Sequence, residues 1–324
     1  MAEKHFIRAI NEALADAMSA DERVIILGED IAAAGGSFKA TRGLLDRFGD
    51  KRVFDTPISE ATIAGVAVGA ALTGFKPVVE IMFMDFVTLT MDMMVNQAAK
   101  AHAMFGAQRS VPMVLRTPHG GGLSAGPQHS QCLEAWFAHT PGLKVVCPSN
   151  PIDAYGLLRA AIDDPDPVIF VENKALYAKR VEMPEEWPQI EIGRARVARR
   201  GKDVTVVAYG AAVDWAEKAA EELARDGVGV EIVDLRSLQP WDETSVMESL
   251  SRTHRLVIAH EAVEAFGVGA EIAARMADVG FDELDGPIIR VGAPFSPPPF
   301  APSLEAVFRR DANDIVAAVR RTLR

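Results

Sequence analysis

Short, mostly apolar runs alternate with helical patterns along the first half of this 324-residue chain. Strands are predicted at 23–28, 52–54, 77–82, 111–116, 144–147 and 167–171, and helices at 59–72, 86–103 and 152–162. Strands that are apolar at every position are buried on both faces, as in a parallel sheet that is covered by helices. The sequence therefore predicts an α/β fold with a parallel sheet.

The alternation stops at a stretch rich in Glu and Pro, 172–191, and then resumes. Beyond it, strands are predicted at 203–208, 228–234, 255–259 and 287–291, and helices at 211–226, 243–251, 267–279 and 314–323. A chain of this length can bury two cores. We predict an α/β domain over 1–175, a linker over 176–195 and a second, smaller α/β domain over 196–324.

The charge balance excludes one broad class of partner. A formal net charge of −11 repels phosphates, so we expect neither a nucleic acid nor an acidic membrane as partner. No apolar run approaches membrane-spanning length, and the N-terminal residues resemble neither a secretory signal nor a transit peptide. Cys132 and Cys147 fit no metal or redox spacing. These features predict a reduced, cytoplasmic setting.

A segment before a helix of small residues is the first candidate for a functional site. Pro57 ends the preceding strand because it lacks an N–H, Ser59 is a good N-cap, and Glu60 follows in the first turn. Gly65 and Gly69 leave the helix little side-chain area, which suits close approach of another backbone. A buried carboxylate is costly without a partner or a task. Glu60 is either functional or an acidic residue that only complements the helix dipole.

Polar clusters are predicted at the carboxyl ends of the strands, where parallel sheets bind their ligands. They are Gly28-Glu29-Asp30, Glu60, Asp85-Phe86 and Gln128-His129-Ser130-Gln131. The last cluster lies in a long Gly-rich loop. Their common location indicates one site, although His129 is alternatively a histidine held by neighbouring backbone.

The Gly-rich loop also contains strings that are typical of serine hydrolases. Residues 119–126 hold both His-Gly-Gly-Gly and Gly-x-Ser-x-Gly. In α/β-hydrolases these strings occupy separate loops, and the nucleophile lies on a tight turn between strand and helix. Here they share one loop and cannot face each other across a substrate. A flexible loop that positions His129 is the simpler interpretation.

Several motifs occur in an order that is specific to one family. They are Gly28-Glu29-Asp30, Gly35-Gly36-x-Phe38, Arg52-Val53-x-Asp55-Thr56-Pro57-Ile58-Ser59-Glu60, Gln128-His129-Ser130-Gln131, Pro141-Gly142-Leu143-Lys144-Val145-Val146 and Asp166-Pro167-Val168. With these motifs the sequence resembles, over nearly its whole length, the β subunits of the decarboxylating component of 2-oxo acid dehydrogenase complexes. That family includes the pyruvate and branched-chain enzymes and the related acetoin dehydrogenase.

The resemblance implies a thiamine diphosphate enzyme that is an α₂β₂ heterotetramer. This chain would supply a pyrimidine-binding domain and a transketolase-like C-terminal domain. The sequence lacks the Gly-Asp-Gly and Asn-Asn motif that holds Mg²⁺ and the diphosphate in the family, and that motif belongs to the α subunit. The chain alone would therefore hold half of an active site.

The resemblance also implies roles for particular residues. Glu60 corresponds to the residue that hydrogen-bonds the N1′ nitrogen of the aminopyrimidine, and Phe86 to the aromatic ring that stacks on it. Glu29 belongs to the same polar network. His129 corresponds to the histidine that faces the reacting centre and assists acyl transfer to the lipoyl group.

Some family members hold a structural potassium ion with backbone carbonyls. The corresponding positions are Met113, Ala161, Ile162, Asp164 and Asp166. The C-terminal domain, including His260, Glu261 and the proline run 294–300, is expected to contact the acyltransferase core.

The predicted function is oxidative decarboxylation of a 2-oxo acid, with transfer of the acyl group to a lipoyl-bearing acyltransferase. A β subunit of acetoin dehydrogenase is the nearest alternative. A non-catalytic subunit that only assembles partners is a third, which the presence of Glu60, Phe86 and His129 disfavours.

Overall fold

The computed structural model describes residues 3–182 and 186–324. Its residues form two compact units, the first drawn from 1–119 and 136–192 and the second from 120–135 and 193–324. The proposed domain limits at 175 and 195 stay a prediction. Residues 183–185 of the predicted linker lie outside the described residues.

The first unit is built around a parallel sheet. Its strands are β1 (Glu3–His5), β2 (Val24–Gly28), β3 (Val53–Asp55), β4 (Lys76–Glu80), β5 (Val114–His119), β6 (Lys144–Val146), β7 (Val168–Asn173) and β8 (Arg180–Glu182). The parallel strands lie in the order β6, β7, β5, β4, β2, β3. A separate antiparallel ribbon, which the sequence did not predict, pairs β1 with β8.

The helices in this part of the chain are α1 (Phe6–Ala20), α2 (Leu44–Phe48), α3 (Glu60–Leu72), α4 (Met84–Val87), α5 (Ala99–Met104), α6 (Glu134–Ala138) and α7 (Pro151–Asp163). Helix α7 begins where its sequence predicts, because Asn150 accepts a hydrogen bond from the Asp153 N–H at 3.0 Å and Pro151 occupies the first turn. Helix α1 buries Phe6, Ile10 and Leu14 on one face, which packs against α7.

The long helix predicted at 86–103 is broken into pieces. After α4 come a 3₁₀ turn at Thr88–Thr90 and a π-helical segment at Asp92–Ala98. The hydroxyls of Thr88 and Thr90 donate to the carbonyls of Asp85 and Val87, at 2.8 and 2.7 Å. These bonds compete with the regular helical pattern, so one continuous α-helix does not form.

The second unit has its own sheet, with α-helices between most of its strands. The strands of this sheet are β9 (Arg196–Arg199), β10 (Val204–Ala208), β11 (Val230–Asp234), β13 (Leu256–Val263) and β14 (Ile289–Ala293), and the short strand β12 (Ser237–Gln239) is not part of it. The sheet has the order β14, β13, β10, β11, β9, and only β9 is antiparallel to its neighbour. The helices are α8 (Ala212–Arg225), α9 (Glu243–Thr253), α10 (Val268–Val279), α11 (Pro302–Phe308) and α12 (Ala312–Thr322).

The observed architecture confirms the predicted fold class, which is α/β with mostly parallel sheets. Among the residues that the structure describes, every helix is too short or too polar to cross a membrane.

Candidate active-site residues

Glu60 is the first residue of α3 and is only 9% exposed. Ser59 occupies the N-cap position as predicted, but its hydroxyl lies 2.8 Å from the Thr62 hydroxyl and makes no cap bond to the helix backbone. Because Glu60 begins the helix, its carboxylate is at the positive end of the helix dipole, a position that favours a negative charge. Gly65 in the same helix faces the side chain of Met93, whose sulfur lies 3.3 Å from where a β-carbon would be, and among the described residues nothing lies within 4 Å of that point at Gly69. Within the described part of the chain, neither glycine makes the close backbone contact that the sequence predicts.

Glu29 follows β2 and lies close to Glu60. Burial is the larger cause of a raised pKa for the Glu29 carboxyl, and the charges of Glu60 and Asp30 add to it. No residue in the described part of the chain hydrogen-bonds the buried Oε1 atom of Glu29. A buried acceptor without a partner is costly, so this atom fits a ligand that brings a polar hydrogen. The structure thus brings together two of the predicted site residues.

Asp55 orders the chain that follows Glu29. Its carboxylate accepts the N–H groups of Ala32 and Ala33 at 2.7 and 3.3 Å, while the Thr56 N–H donates to the Gly28 carbonyl at 3.0 Å. The ends of β2 and β3 are tied together by these bonds. The loop that carries Glu29 is consequently held at the carboxyl edge of the sheet.

Phe86 lies in α4, directly after β4, which is the neighbour of β2 in the sheet. Its ring is half-buried and stands edge-on to Phe83, with 6.1 Å between ring centroids and 89° between planes. Phe83 in turn contacts Phe38 and carries the Lys174 ammonium 5.0 Å from its ring centre. Such edge-to-face contacts fix a ring's orientation, so Phe86 is supported by other aromatic rings at the predicted edge.

A buried charged cluster inside the first unit was not predicted. The guanidinium of Arg116, 1% exposed, pairs with Glu80 at 2.8 Å and with Glu172 at 2.7 Å. Tyr177 donates to Glu172 at 2.8 Å. Burial raises the pKa of Glu172 despite the lowering effect of Arg116. Burial works against the charge on Arg116, but Glu172 and Glu80 raise its pKa on balance. The sequence signal was an acid or a base inside or directly after each of three apolar strand patterns.

The residues predicted for a potassium ion lie near the start of β5 and the end of α7. The Val168 N–H donates to the Met113 carbonyl at 3.0 Å, which brings the turn after α7 beside the start of β5. Ala161 and Ile162 are in the last turn of α7, where the Ala161 carbonyl accepts the Asp164 N–H at 3.4 Å. The Lys144 ammonium binds the carboxylates of Asp164 and Asp166 at 2.7 and 3.2 Å.

His129 belongs to the second unit and lies in a stretch without regular structure between β5 and α6. The side chain of His129 is half-buried, and its backbone N–H donates to the Gly126 carbonyl at 3.3 Å. Ser124, the serine of the hydrolase-like string, donates its hydroxyl to Glu305 at 3.2 Å. A cavity of about 570 Å³ adjoins the loop, lined by residues that include Gln128, Gln131 and Phe295.

His260 is fully buried in the second unit, so the expectation that it contacts an acyltransferase core is wrong. Its ring stacks on Tyr209 with 5.8 Å between centroids, and its Nδ1 atom lies 3.1 Å from the Ala262 carbonyl. Burial lowers the pKa of His260. The proline run remains at the surface, where Phe295 is 80% exposed.

The comparisons with known proteins cover both units. Residues 3–179 match the family described as "Transketolase, pyrimidine binding domain", and residues 193–315 match "Transketolase, C-terminal domain". A solved structure, "Split gene transketolase, inactive beta4 tetramer", shares the fold with a TM-score of 0.81 and 24% identity. The match covers 98% of this chain and 97% of that one.

Two curated relatives are similar over most of the chain. The pyruvate dehydrogenase E1 component subunit beta of Rhizobium meliloti is 45% identical over 313 residues, which are 96% of this chain and 68% of that protein. The acetoin:2,6-dichlorophenolindophenol oxidoreductase subunit beta of Bacillus subtilis is 46% identical over 321 residues, and the match covers 95% of this chain and 94% of that protein. The chain therefore belongs to the transketolase-like family of E1 β subunits, which includes those of pyruvate dehydrogenase.

Proposed function

We propose that this chain is the β subunit of a thiamine-diphosphate-dependent 2-oxo acid dehydrogenase. The enzyme decarboxylates a 2-oxo acid oxidatively and passes the acyl group to a lipoyl-bearing acyltransferase. The observation that carries the proposal is the buried carboxylate of Glu60 at the start of α3, with the buried and unpartnered Oε1 atom of Glu29 close by.

These two acids fit the aminopyrimidine of the coenzyme. A carboxyl in a dry site can hold a proton that it shares with a ring nitrogen, and Glu60 would do so at N1′. Glu29, whose pKa is raised by burial, would complete the polar network. Phe86, supported edge-on by Phe83, would offer a face to the ring. When bound, thiamine diphosphate supplies the carbon nucleophile and the electron sink for decarboxylation.

His129 would hold and move a proton at its imidazole while the acyl group passes to a lipoyl sulfur. A histidine suits this role because its ordinary pKa is near neutral pH. Its place in a tethered loop supports the assignment, since the loop is fastened at several backbone N–H groups.

A partner α subunit, in an α₂β₂ assembly, would supply the Mg²⁺ and diphosphate site. Support comes from the sequence, which lacks the corresponding motif, and from apolar side chains left exposed around α3. Ile58 is 82% exposed and Leu89 is 58% exposed, which is typical of a surface that a partner covers. We place the assembly in the cytoplasm, with a lipoyl-bearing acyltransferase core as its second partner.

A potassium ion bound by backbone carbonyls of Met113, Ala161, Ile162, Asp164 and Asp166 is part of the proposal. The end of α7 supports it, because the last carbonyls of a helix lack most of their helical partners, and a carbonyl oxygen that accepts one N–H, as that of Ala161 does, keeps a lone pair for an alkali cation. The Asp164 and Asp166 side chains are already occupied by Lys144. The ion would therefore be held by the main chain.

Acetoin cleavage by the same cofactor is the second candidate. The relative named for acetoin is 46% identical to this chain, and the relative named for pyruvate is 45% identical, so similarity does not separate the substrates. Much of the substrate pocket would come from α.

The test is reconstitution with an α subunit of the same family, which is to be sought in the neighbouring reading frames. A panel of 2-oxo acids and acetoin is assayed with thiamine diphosphate, Mg²⁺ and a dye acceptor, in potassium and in sodium buffers. We expect turnover of at least one 2-oxo acid and transfer of its acyl group to a lipoyl domain. Turnover of acetoin alone would favour the second candidate, and an assembled complex that turns over none of these compounds would contradict both.

A further inference from the structure

Glu305 fastens the loop that carries His129. Its carboxylate accepts the Gly122 N–H at 2.7 Å and the Ser124 N–H at 3.0 Å, with one oxygen for each. The second oxygen also accepts the Ser124 hydroxyl at 3.2 Å. Glu305 is only 5% exposed, so these bonds are made in a largely dry environment, where they are strong and costly to lose.

Neighbouring side chains fasten the same loop. Glu261 accepts the Gly121 N–H at 2.8 Å. Gly122 and Gly126 have φ angles of +97° and +76°, and an added β-carbon would lie 2.5 Å from the Arg309 guanidinium and 2.2 Å from the Phe300 ring, respectively. The loop backbone is thus held by two carboxylates and covered closely by two further side chains.

Helix α11 contacts the loop through its one buried residue, Glu305. It spans Pro302–Phe308, and Glu305 is its only buried residue. Leu304 and Val307 of the same helix are 59% and 76% exposed. The only fully buried attachment of the helix is therefore a carboxylate, and the Phe308 side chain beside it is half-buried. A surface helix whose buried side chain receives loop N–H groups is suited to positioning that loop.

The fastened segment leads directly to His129. Ser124 and His129 are separated by one turn, in which the His129 N–H donates to the Gly126 carbonyl at 3.3 Å. The stretch from 120 to 133 has no regular secondary structure, so its path is set by individual contacts, which include the bond from the Gly120 N–H to the Gln131 carbonyl at 3.5 Å. Displacement of the backbone at 122–124 would therefore be passed on to His129.

We propose that Glu305 is a positioning residue that sets the place of His129 for acyl transfer. The catalytic consequence of this inference rests on the proposed function of the chain. The contact between Glu305 and the loop does not depend on that function. Glu305 touches neither substrate nor coenzyme in this account and acts only through the loop backbone.

The test uses Glu305→Gln in the full complex with α. Glutamine keeps the size of the side chain but replaces one acceptor oxygen by an NH₂ group, so either Gly122 or Ser124 loses its bond. A displacement of the order of 1 Å costs roughly 10²-fold in rate, so we expect acyl transfer to a lipoyl domain to fall by about ten- to a hundredfold in kcat. The KM for the 2-oxo acid should change little.

A double mutant separates positioning from general damage. Glu305→Gln should add almost no further loss in a His129→Ala background, because the group that it positions is gone. An equal fractional loss in both backgrounds would overturn the proposal. Glu271→Gln, at an exposed position in α10, is the matched control and should leave the transfer rate as it is.

Two readouts do not depend on turnover. In the purified chain, Glu305→Gln should speed hydrogen exchange in peptides that cover 120–126 and shift the imidazole NMR signal of His129, while Glu271→Gln should change neither. If the wild-type complex turns over no substrate, the proposed function fails but these readouts still decide whether Glu305 positions His129. Unchanged exchange and an unchanged His129 signal would overturn the inference.

Discussion

Glu60 lies near enough to Glu29 for its negative charge to raise the pKa of the Glu29 carboxyl, adding to the larger effect of burial. One acid ends a strand and the other begins a helix, so the fold holds two like charges at one edge of the sheet. Such a pair is relieved when a proton or a polar hydrogen is placed between or beside the carboxylates. The pair therefore suits a site that binds a protonated or hydrogen-bonding ring.

Glu60→Gln should lower the pKa of Glu29 toward its ordinary value of 4.5. Replacing the charge of Glu60 by a neutral amide removes one of the influences that disfavour ionised Glu29, while burial remains. Carbon-13 NMR titration of the Glu29 carboxyl in the purified chain measures the change. A pKa of Glu29 that stays the same in the variant would show that the two side chains do not interact.

The same substitution should abolish most catalysis without preventing assembly. In the complex with α, we expect Glu60→Gln to reduce release of CO₂ from the 2-oxo acid by on the order of 10²-fold or more, since an amide cannot exchange a proton with the coenzyme ring. Size-exclusion chromatography checks that the variant still assembles. Near-complete activity would remove Glu60 from the mechanism.

His129→Ala should separate the two halves of the reaction. We expect a larger loss with a lipoyl domain as acceptor than with a dye, because the proposed proton transfer belongs to the acyl-transfer step. Parallel assays of the same preparation with both acceptors provide the measurement. Equal losses in the two assays would contradict a role for His129 in acyl transfer.

The purified chain should bind thiamine diphosphate poorly without α. Its sequence lacks the metal and diphosphate motif, and only the pyrimidine side of the coenzyme would find partners here. Titration calorimetry with and without α, in the presence of Mg²⁺, compares the affinities. Tight stoichiometric binding by this chain alone would mean that the division of the site between subunits is wrong.

The parts of the fold that follow from local pattern were predicted from the sequence. The strand expected at 203–208 is β10 (Val204–Ala208), because a buried parallel strand is mostly apolar and its pattern is visible without its neighbours. Strand β9 (Arg196–Arg199) was missed because it is an antiparallel strand at the sheet edge and begins and ends with arginine. Helix α11 was missed although Leu304, Val307 and Phe308 have helical spacing, because the segment is only seven residues long and directly follows a proline-rich run.

In the candidate site too, features that are local in the sequence could be predicted, whereas contacts between distant residues could not. Glu60 could be proposed from the sequence because the strand end, the N-cap position and the small-residue helix are consecutive there, and its functional role stays a prediction. Glu305 was missed because its partner Gly122 is 183 residues away. The pairing of Arg116 with Glu80 and Glu172 depends on the order of strands β4, β5 and β7 in the sheet, which periodicity does not give.

The buried Arg116 cluster leads to a stability prediction. Arg116→Met would leave Glu80 and Glu172 buried without their cation, which typically costs about 3–5 kcal/mol of unfolding free energy. Arg180→Met, at an exposed position in β8, is the matched control and should cost about 1 kcal/mol or less. Urea unfolding, followed by hydrogen exchange in β5 peptides, reports the stability of the first unit.

The loss of unfolding free energy that Arg116→Met causes should grow as the pH rises. Burial already raises the pKa of Glu172, and removal of Arg116, which lowers it, raises that pKa further. A carboxyl whose pKa is raised in the folded state favours folding below its unfolded pKa, and this contribution is lost as the pH rises through the folded pKa. The variant should therefore be closest to wild type near pH 5 and weakest, relative to wild type, near pH 8. A deficit that is the same at both values, or larger at pH 5, would show that Arg116 does not stabilise the folded chain by neutralising these two acids.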